Sequence, residues 1–566
     1  MLSRSILWIV LLTVGSVPVA GCRMAHPRGA SAQLSAGQVG SQGSPASTDP
    51  ASEPDRIEAH AHYSAAVIHE ANGEPALALQ EYYQAARKDP ADEALVLEVS
   101  RRFLQADRPK EAMELLVRAS ARPDASGALF ARLGQVYLRL GKIDLAAKAD
   151  RTAIKRQPQL LAGYRNLSLV YLQNQKVNAA GNVLDEAAGV SGTDAEFLIG
   201  LAELFANFGL KEPAKKPAAY ARALELLLRA EKLGPSDAES RLRLADGYNL
   251  LGKDEEAAGI YMDLLQQLPD LPLVHENIRA KLMDLSLRSR DPKLAARQLE
   301  AVIRDNPIEV RAYYLLGSVA YDEKRYAAAA DYFNKALLLD PAYEPAYYDL
   351  ASAQISAEKA ALSVETLDKA RRKFQSNFVL EYLSGIAYSR LKDYTNSVRR
   401  FRASEVFAPA GDTNRLTEFY FQFGAACERQ GDAAQAGKYF EKCLQLSPDF
   451  PEALNYLGFM LADRGEKLDQ ARALIERAVK VEPKNASYLD SMGWVLFKLQ
   501  RPKEALGWIL KAIQFSAEED PVIYDHLGDI YGALGQPEKA RSAWGKSLAL
   551  EPDDRVRKKL EGAAAK

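Results

Sequence analysis

Val310 to Pro341 reads VRAYYLLGSVAYDEKRYAAAADYFNKALLLDP, and its spacing decides the fold. Tyr313 and Leu316 share one helical face, with Gly317 beside them. A polar turn follows at Asp322 to Arg325, and Ala329, Phe333 and Ala336 then mark a second stripe that closes at Pro341. Apolar residues three and four apart predict amphipathic helices, and proline stops a helix by removing a donor and crowding the preceding turn. Small residues at Gly317 and Ala329 let two helix backbones approach, and the aromatics fill the space between them. The stretch predicts two helices joined by a short turn.

Outward from this unit the plan recurs. Gly127 to Pro158 repeats it with Leu133, Gly134, Tyr137, Ala146, Ala153 and Pro158, and Ala517 to Pro552 with Tyr524, Leu527, Gly528, Tyr531, Ala540, Trp544 and Pro552. One small-residue column runs through Ala78, Ala112, Ala146, Ala180, Ala223, Ala257, Ala295, Ala329, Ser363, Ser397, Ala436, Ala471, Ala505 and Ala540, and most steps are 34 residues. Pieces such as Asn72-Gly73-Glu74-Pro75, Leu140-Gly141-Lys142 and Gln430-Gly431-Asp432 supply the turns.

This period and these columns resemble the tetratricopeptide repeat family over about fourteen units, nearly all of the chain after residue 56. The resemblance implies an all-α fold, a right-handed superhelical α-solenoid of about 14 antiparallel helix-turn-helix units. One helix pair cannot bury its apolar face alone, whereas stacked pairs form a continuous core. Departures from the period suggest three blocks, 57–235, 236–409 and 410–552, followed by a polar tail at 553–566. An insertion between Leu204 and Ala223 is expected to lengthen the loop inside one unit, and a second, near Ala410 to Thr417, to separate two units. Met283 replaces the usual glycine in the unit from Glu276 to Pro307.

The chain opens MLSRSILWIVLLTVGSVPVAGC. Arg4, the apolar run Ile6 to Val14 and the small residues after it have the tripartite form of an export signal at 1–21. Val19-Ala20-Gly21-Cys22 resembles the lipobox of bacterial lipoproteins, which implies cleavage before Cys22 and acylation of its thiol and new amino terminus. Two or more acyl chains make a stable anchor, since each buried methylene contributes ~0.8 kcal/mol. Arg23 in place of Asp implies, by the same resemblance, the outer membrane, facing the periplasm. The rest of 22–56, rich in Gly, Ser, Ala, Pro and Gln, reads as a flexible linker with a mean reach on the order of 30 Å.

Lys plus Arg (73) nearly equals Asp plus Glu (75), so no basic excess points to nucleic acid. There is no phosphate loop, no G-x-S-x-G elbow and no H-E-x-x-H. The histidines His62 and His69 share a helix face, but they read as replacements for apolar residues in a terminal unit rather than as metal ligands. Cys427 and Cys443 lie on the two helices of one unit and read as buried thiols, with a disulfide as the alternative. No enzyme activity, cofactor, metal or small-molecule substrate is expected.

In the tetratricopeptide family the first helix of each unit lines a concave groove. By that resemblance the partner-binding residues of the last three units include Glu452, Asn455, Phe459, Asp463, Asp490, Trp494, Phe497, Asp525 and Asp529. Aromatics beside carboxylates suit a peptide with basic and apolar side chains. The basic-and-asparagine clamp that grips chaperone carboxyl tails is not evident, and of the asparagine ladder of sugar-transferase repeats only Asn166 is present. The expected role is a membrane-tethered protein-protein interaction scaffold or assembly factor in the bacterial cell envelope. The alternative is an adaptor for a cell-wall hydrolase or other envelope enzyme, or a subunit of a polysaccharide or pilus export system.

Overall fold

Val310–Asp322 and Tyr326–Leu339 are both α-helices, and the side chains of the two stripes face each other. Leu315, Leu316, Ala320, Ala329, Phe333 and Ala336 are buried. Between the helices Lys324 takes a left-handed conformation (φ 61°), and the Arg325 N–H closes the turn on the Ala320 carbonyl at 2.9 Å. The same turn is made by Gly141 at φ 71°, where glycine meets no steric penalty. Asp340 ends the second helix ahead of Pro341.

The computed structural model describes residues 52–268, 271–409 and 411–564; Cys22 and most of the linker lie outside them. Among the described residues are 29 α-helices, one short 3-10 turn and no strand. The first 28 helices follow one another as pairs, so the chain is an all-helical solenoid of the expected kind. The helices form two compact units that divide between Ala301 and Val302, inside the helix Pro292–Asp305. The expected block boundaries at 235 and 409 therefore fall within these units. The first unit holds a core that runs from Ala66 through Phe103, Leu116 and Leu129 to Ala149. The second is built on clusters around Phe333, around Phe401, Phe419 and Phe440, and around Ile475, Trp494 and Ile509.

One contact recurs inside the pairs. A Cβ added at Gly317 would lie 2.5 Å from the Phe333 ring, at Gly385 2.6 Å from Phe401, at Gly424 2.7 Å from Phe440, and at Gly528 2.4 Å from Trp544. The glycine column thus exists because a large residue of the second helix lies flat on the first. In the pair Gly127–Arg139 and Ile143–Arg156 that place holds Asp150, which is 0% exposed. Its Oδ1 accepts from Asn166 Nδ2 at 3.4 Å, while Oδ2 has no partner among the described residues. Burial pushes this carboxyl up to about 8 against the weaker pull of Asn166.

Three expectations are corrected. The insertion between Leu204 and Ala223 does not lengthen a loop. It adds turns to both helices, Ala195–Lys211 and Lys216–Leu233, because Phe205, Phe208 and Ala219 give the extra turns an apolar face to bury. The second insertion likewise goes largely into the 18-residue helix Thr413–Gln430. The terminal segment is not merely a polar tail: Asp554–Ala564 is a helix whose Val556 (3% exposed) packs on Ala540 and Trp544.

Gly317→Ala is expected to lower the melting transition of the second unit by the equivalent of about 1–3 kcal/mol, because the methyl has to displace the Phe333 ring. Gly507→Ala, in a helix with open space at that position, is expected to raise it by about 0.5–1 kcal/mol. Calorimetry of the two variants beside the parent checks both signs.

Asp150 gives a pH signature. Its folded-state value lies above the unfolded one, so the folded chain holds a proton that the unfolded chain releases, and this group's contribution to stability falls as pH rises from about 4 to 8. Asp150→Asn is expected to melt higher than the parent at pH 8, with the difference closing towards pH 4. A constant difference across that range in thermal melts refutes the assignment.

Candidate protein-binding surface

The first helix of each pair presents side chains at two places beside the glycine column. These are the residue two before the column and the residue just after it, and they meet across successive pairs. Arg243 lies two before Ala245 and forms a double hydrogen bond with Glu203, which follows Ala202 of the preceding pair, both contacts being 2.9 Å. Lys281, two before Met283, binds Asp246, just after Ala245. The residue three before the preceding column serves as well: Asn166 donates to the Ala131 carbonyl at 2.8 Å, and Asp349 accepts from the Tyr314 hydroxyl at 2.5 Å. These contacts fix one pair against the next.

The C-terminal candidates belong largely to this interlock. His526 lies two before Gly528, and its Nδ1 binds the Asp490 carboxylate at 2.9 and 3.1 Å. Burial disfavours a charged imidazole, but Asp490, together with Asp525 and Asp529 beyond it, outweighs it and His526 is shifted upward. Trp494 stacks on His526 at 4.0 Å and on Phe497 at 5.2 Å, and its indole N–H donates to Asp463 at 3.2 Å. Lys559, on the terminal helix, binds Asp525 at 2.8 and 2.9 Å and Asp529 at 2.7 Å, and Trp544 also donates to Asp529 at 3.1 Å. Asp529 is raised by burial, which outweighs the Lys559 ammonium beside it.

The expectation of one open patch is therefore corrected at several positions. Asn455 (8% exposed), Asp490 (6%) and Trp494 (7%) are buried, and Asp525 and Asp529 are held by Lys559. The next helix covers what the repeat pattern left facing a groove. Glu452, Phe459 and Phe497 are partly exposed and Asp463 is exposed. Cys427 and Cys443 are free, buried thiols that burial pushes up to about 12. His62 and His69 contact Glu81 and Glu74, each at 2.6 Å.

A second surface, in the first unit, was missed. On the helices Glu93–Gln105, Gly127–Arg139 and Leu161–Gln173 a groove of about 500 Å³ opens. Arg101, Arg132 and Arg139 stand in it among Gln105, Gln135 and Gln173, over Leu104 and Leu138. The signal was available in the sequence as a run of arginines at groove-facing repeat positions, but a near-neutral total charge hid it.

Two tetratricopeptide repeat models match the chain, one at residues 53–93, 131–195, 219–272 and 282–345 and the other at 522–554. Residues 412–527 match the middle TPR-like domain of cilia and flagella-associated protein 70. The chain is similar to the TPR repeat-containing protein PA4667 of Pseudomonas aeruginosa, 28% identical over 38% of this chain and 36% of that protein. It is also similar to the human protein O-mannosyl-transferase TMTC1, 25% identical over 39% of this chain and 24% of that one. The chain thus spans about a third of the first relative's length and about a quarter of the second's. Among solved structures, a tetratricopeptide repeat protein from Parabacteroides merdae is 15% identical, with 45% of this chain and 99% of that one covered and a TM-score of 0.37.

Lys559→Ala leaves Asp529 half-buried without its cation, which costs about 1–3 kcal/mol. Hydrogen exchange over residues 537–564 is expected to speed up while the helices before Gly493 keep their protection; unchanged exchange there contradicts the interlock.

The paired helices, the recurring glycine contact and the repeat models matching in both units agree, and the matched segments are tetratricopeptide repeats.

Proposed function

We propose that this chain is a lipid-tethered scaffold of the bacterial cell envelope that binds other proteins through the first helices of its repeats. The observation that carries the binding half is the groove on Glu93–Gln105, Gly127–Arg139 and Leu161–Gln173, an extended surface of exposed cations and amides that no neighbouring helix fills. Tetratricopeptide repeats suggest this role in general, because stacked hairpins leave a long surface free for contact. Glu452, Phe459, Asp463 and Phe497 add a second accessible stretch in the last repeats.

The tether rests on Val19-Ala20-Gly21-Cys22 and on the export-type segment before it. Among the described residues no helix is long and apolar enough to cross a membrane. Acylation at Cys22 holds the repeats near the bilayer, and a partner in the same membrane then meets them at a raised effective concentration. The linker at 22–56 sets how far the repeats reach.

In a bacterial host fed a labelled fatty acid, the parent chain is expected to take up label and to sediment with outer membranes. The Cys22→Ser chain is expected to do neither, and label on that variant ends the lipoprotein reading. Photo-crosslinkers placed at Gln135 and Phe459 are expected to capture envelope proteins; crosslinks to no protein at either site end the scaffold reading.

A further inference from the structure

Arg132 breaks the interlocking pattern. It lies two before Gly134, the place that Arg243 and Lys281 occupy in their own pairs. Those two cations meet Glu203 and Asp246, each just after the column of the preceding pair. The residue at that place ahead of Arg132 is Arg101, just after Ser100, and the residue three before Ser100 is Leu97. Among the described residues the Arg132 side chain forms no hydrogen bond or salt bridge. Its pKa is lowered by burial first, then by Arg101 and by Arg165 of the next pair, with Glu98 opposing weakly. Glu98 itself is held by Arg101 at 2.6 and 2.8 Å and by Arg102 at 2.9 Å. Arg139 is held by Asp107 and the Leu104 carbonyl, both at 2.9 Å.

A half-buried guanidinium among like charges, in an open groove, is a site short of an anion. The remaining lining tells which anion. Gln105, Gln135 and Gln173 each offer a donor and an acceptor, the pairing a peptide backbone needs, and Leu104 and Leu138 supply an apolar floor. No aromatic ring lines the groove, so nothing stacks on a base. Arg101 and Arg139 are exposed, but Arg132 is half-buried between helices, where a flat bilayer surface meets it poorly.

We propose that this groove binds an extended acidic segment of a partner protein, with side-chain carboxylates on Arg132 and Arg101 and the backbone on the glutamine amides. This rests on the scaffold reading and names the chemistry of one partner surface.

The test uses the full chain carrying Cys22→Ser and fluorescence anisotropy with a Glu-rich labelled peptide, compared with Gln and Lys versions of equal length. The Glu version is expected to bind at least about tenfold more tightly than the Gln version at low salt, with the gap closing as salt rises. Arg101→Glu gives Arg132 the carboxylate that Glu203 gives Arg243; it is expected to keep or raise the melting temperature and abolish the preference. Arg132→Gln is expected to weaken binding of the Glu peptide at least about fivefold in a chain that melts like the parent. Equal affinity for the Glu and Gln peptides overturns the proposal, as does an undiminished preference in folded Arg101→Glu. Tighter binding of single-stranded oligonucleotide or of phosphatidylglycerol vesicles than of the Glu peptide also overturns it. Any of these failures leaves the scaffold reading standing if the crosslinkers still capture envelope proteins.

Discussion

A hairpin of two short helices has more apolar surface than its own two faces can cover, and the contact between Gly317 and Phe333 shows how the chain resolves this. A flat ring on a residue without a side chain brings the two axes of a pair close. Close axes leave the other apolar stripes pointing at the adjacent pairs, so each pair is completed by its neighbours. The consequence is cooperative but short-ranged. Burial in each repeat depends on the repeat before and after it, and on little else. The variation among Phe333, Phe401, Ile475 and Trp544 in the large-residue place is tolerated because each faces a small residue with room for a different shape.

With the apolar stripes committed to stacking, the register between pairs falls to polar side chains at the margin of the first helix. Arg243 with Glu203, Lys281 with Asp246, His526 with Asp490 and Lys559 with Asp525 and Asp529 occupy related places in their repeats. All but the buried His526–Asp490 pair are partly exposed and contribute modestly to stability, but a shift of one helix by one residue breaks the contact. The last helix is held by the same device: Lys559 engages the pair before it, much as His526 engages its own predecessor. The helix Asp554–Ala564 covers Ala540 and Trp544 with Val556 and turns a polar face outward.

Most of this architecture was legible in the sequence because it is written in period. Columns of small and large residues at 34-residue spacing identify the helices, the turns and the buried side of each pair, as Gly134, Ala146 and Tyr164 illustrate. Period says less about what lies over a given face. Trp494 and Asp490 sit at groove-facing positions, yet His526 of the following pair fills the space above them. The extra residues near Leu204 and Thr413 broke the period and looked like loops; they became helix because Phe205, Phe208 and Phe419 supplied something to bury. Charge misled in a different way. A total near neutrality averages an acidic C-terminal stretch with a basic N-terminal groove, and the arginines that matter lie 31 residues apart, at Arg101 and Arg132.

The positions that lock the repeats together are the ones that face the groove, and this ties binding to stability. A charged side chain two before the glycine column engages the preceding pair, as Arg243, Lys281 and His526 do, or stays free for a ligand. Arg132 is free, and its repeat is weaker for it, with like charges on both sides. The same repeat carries Asp150 in the place of a large apolar residue, its carboxyl shut away from water and pushed up to about 8. Two destabilising choices fall in one pair, at places that Arg243 and Phe333 satisfy in theirs, as at a binding surface where stability has been given up locally. On the proposed reading, a carboxylate arriving from a partner gives Arg132 what Glu203 gives Arg243, so occupation of the groove would tie this repeat to its neighbours.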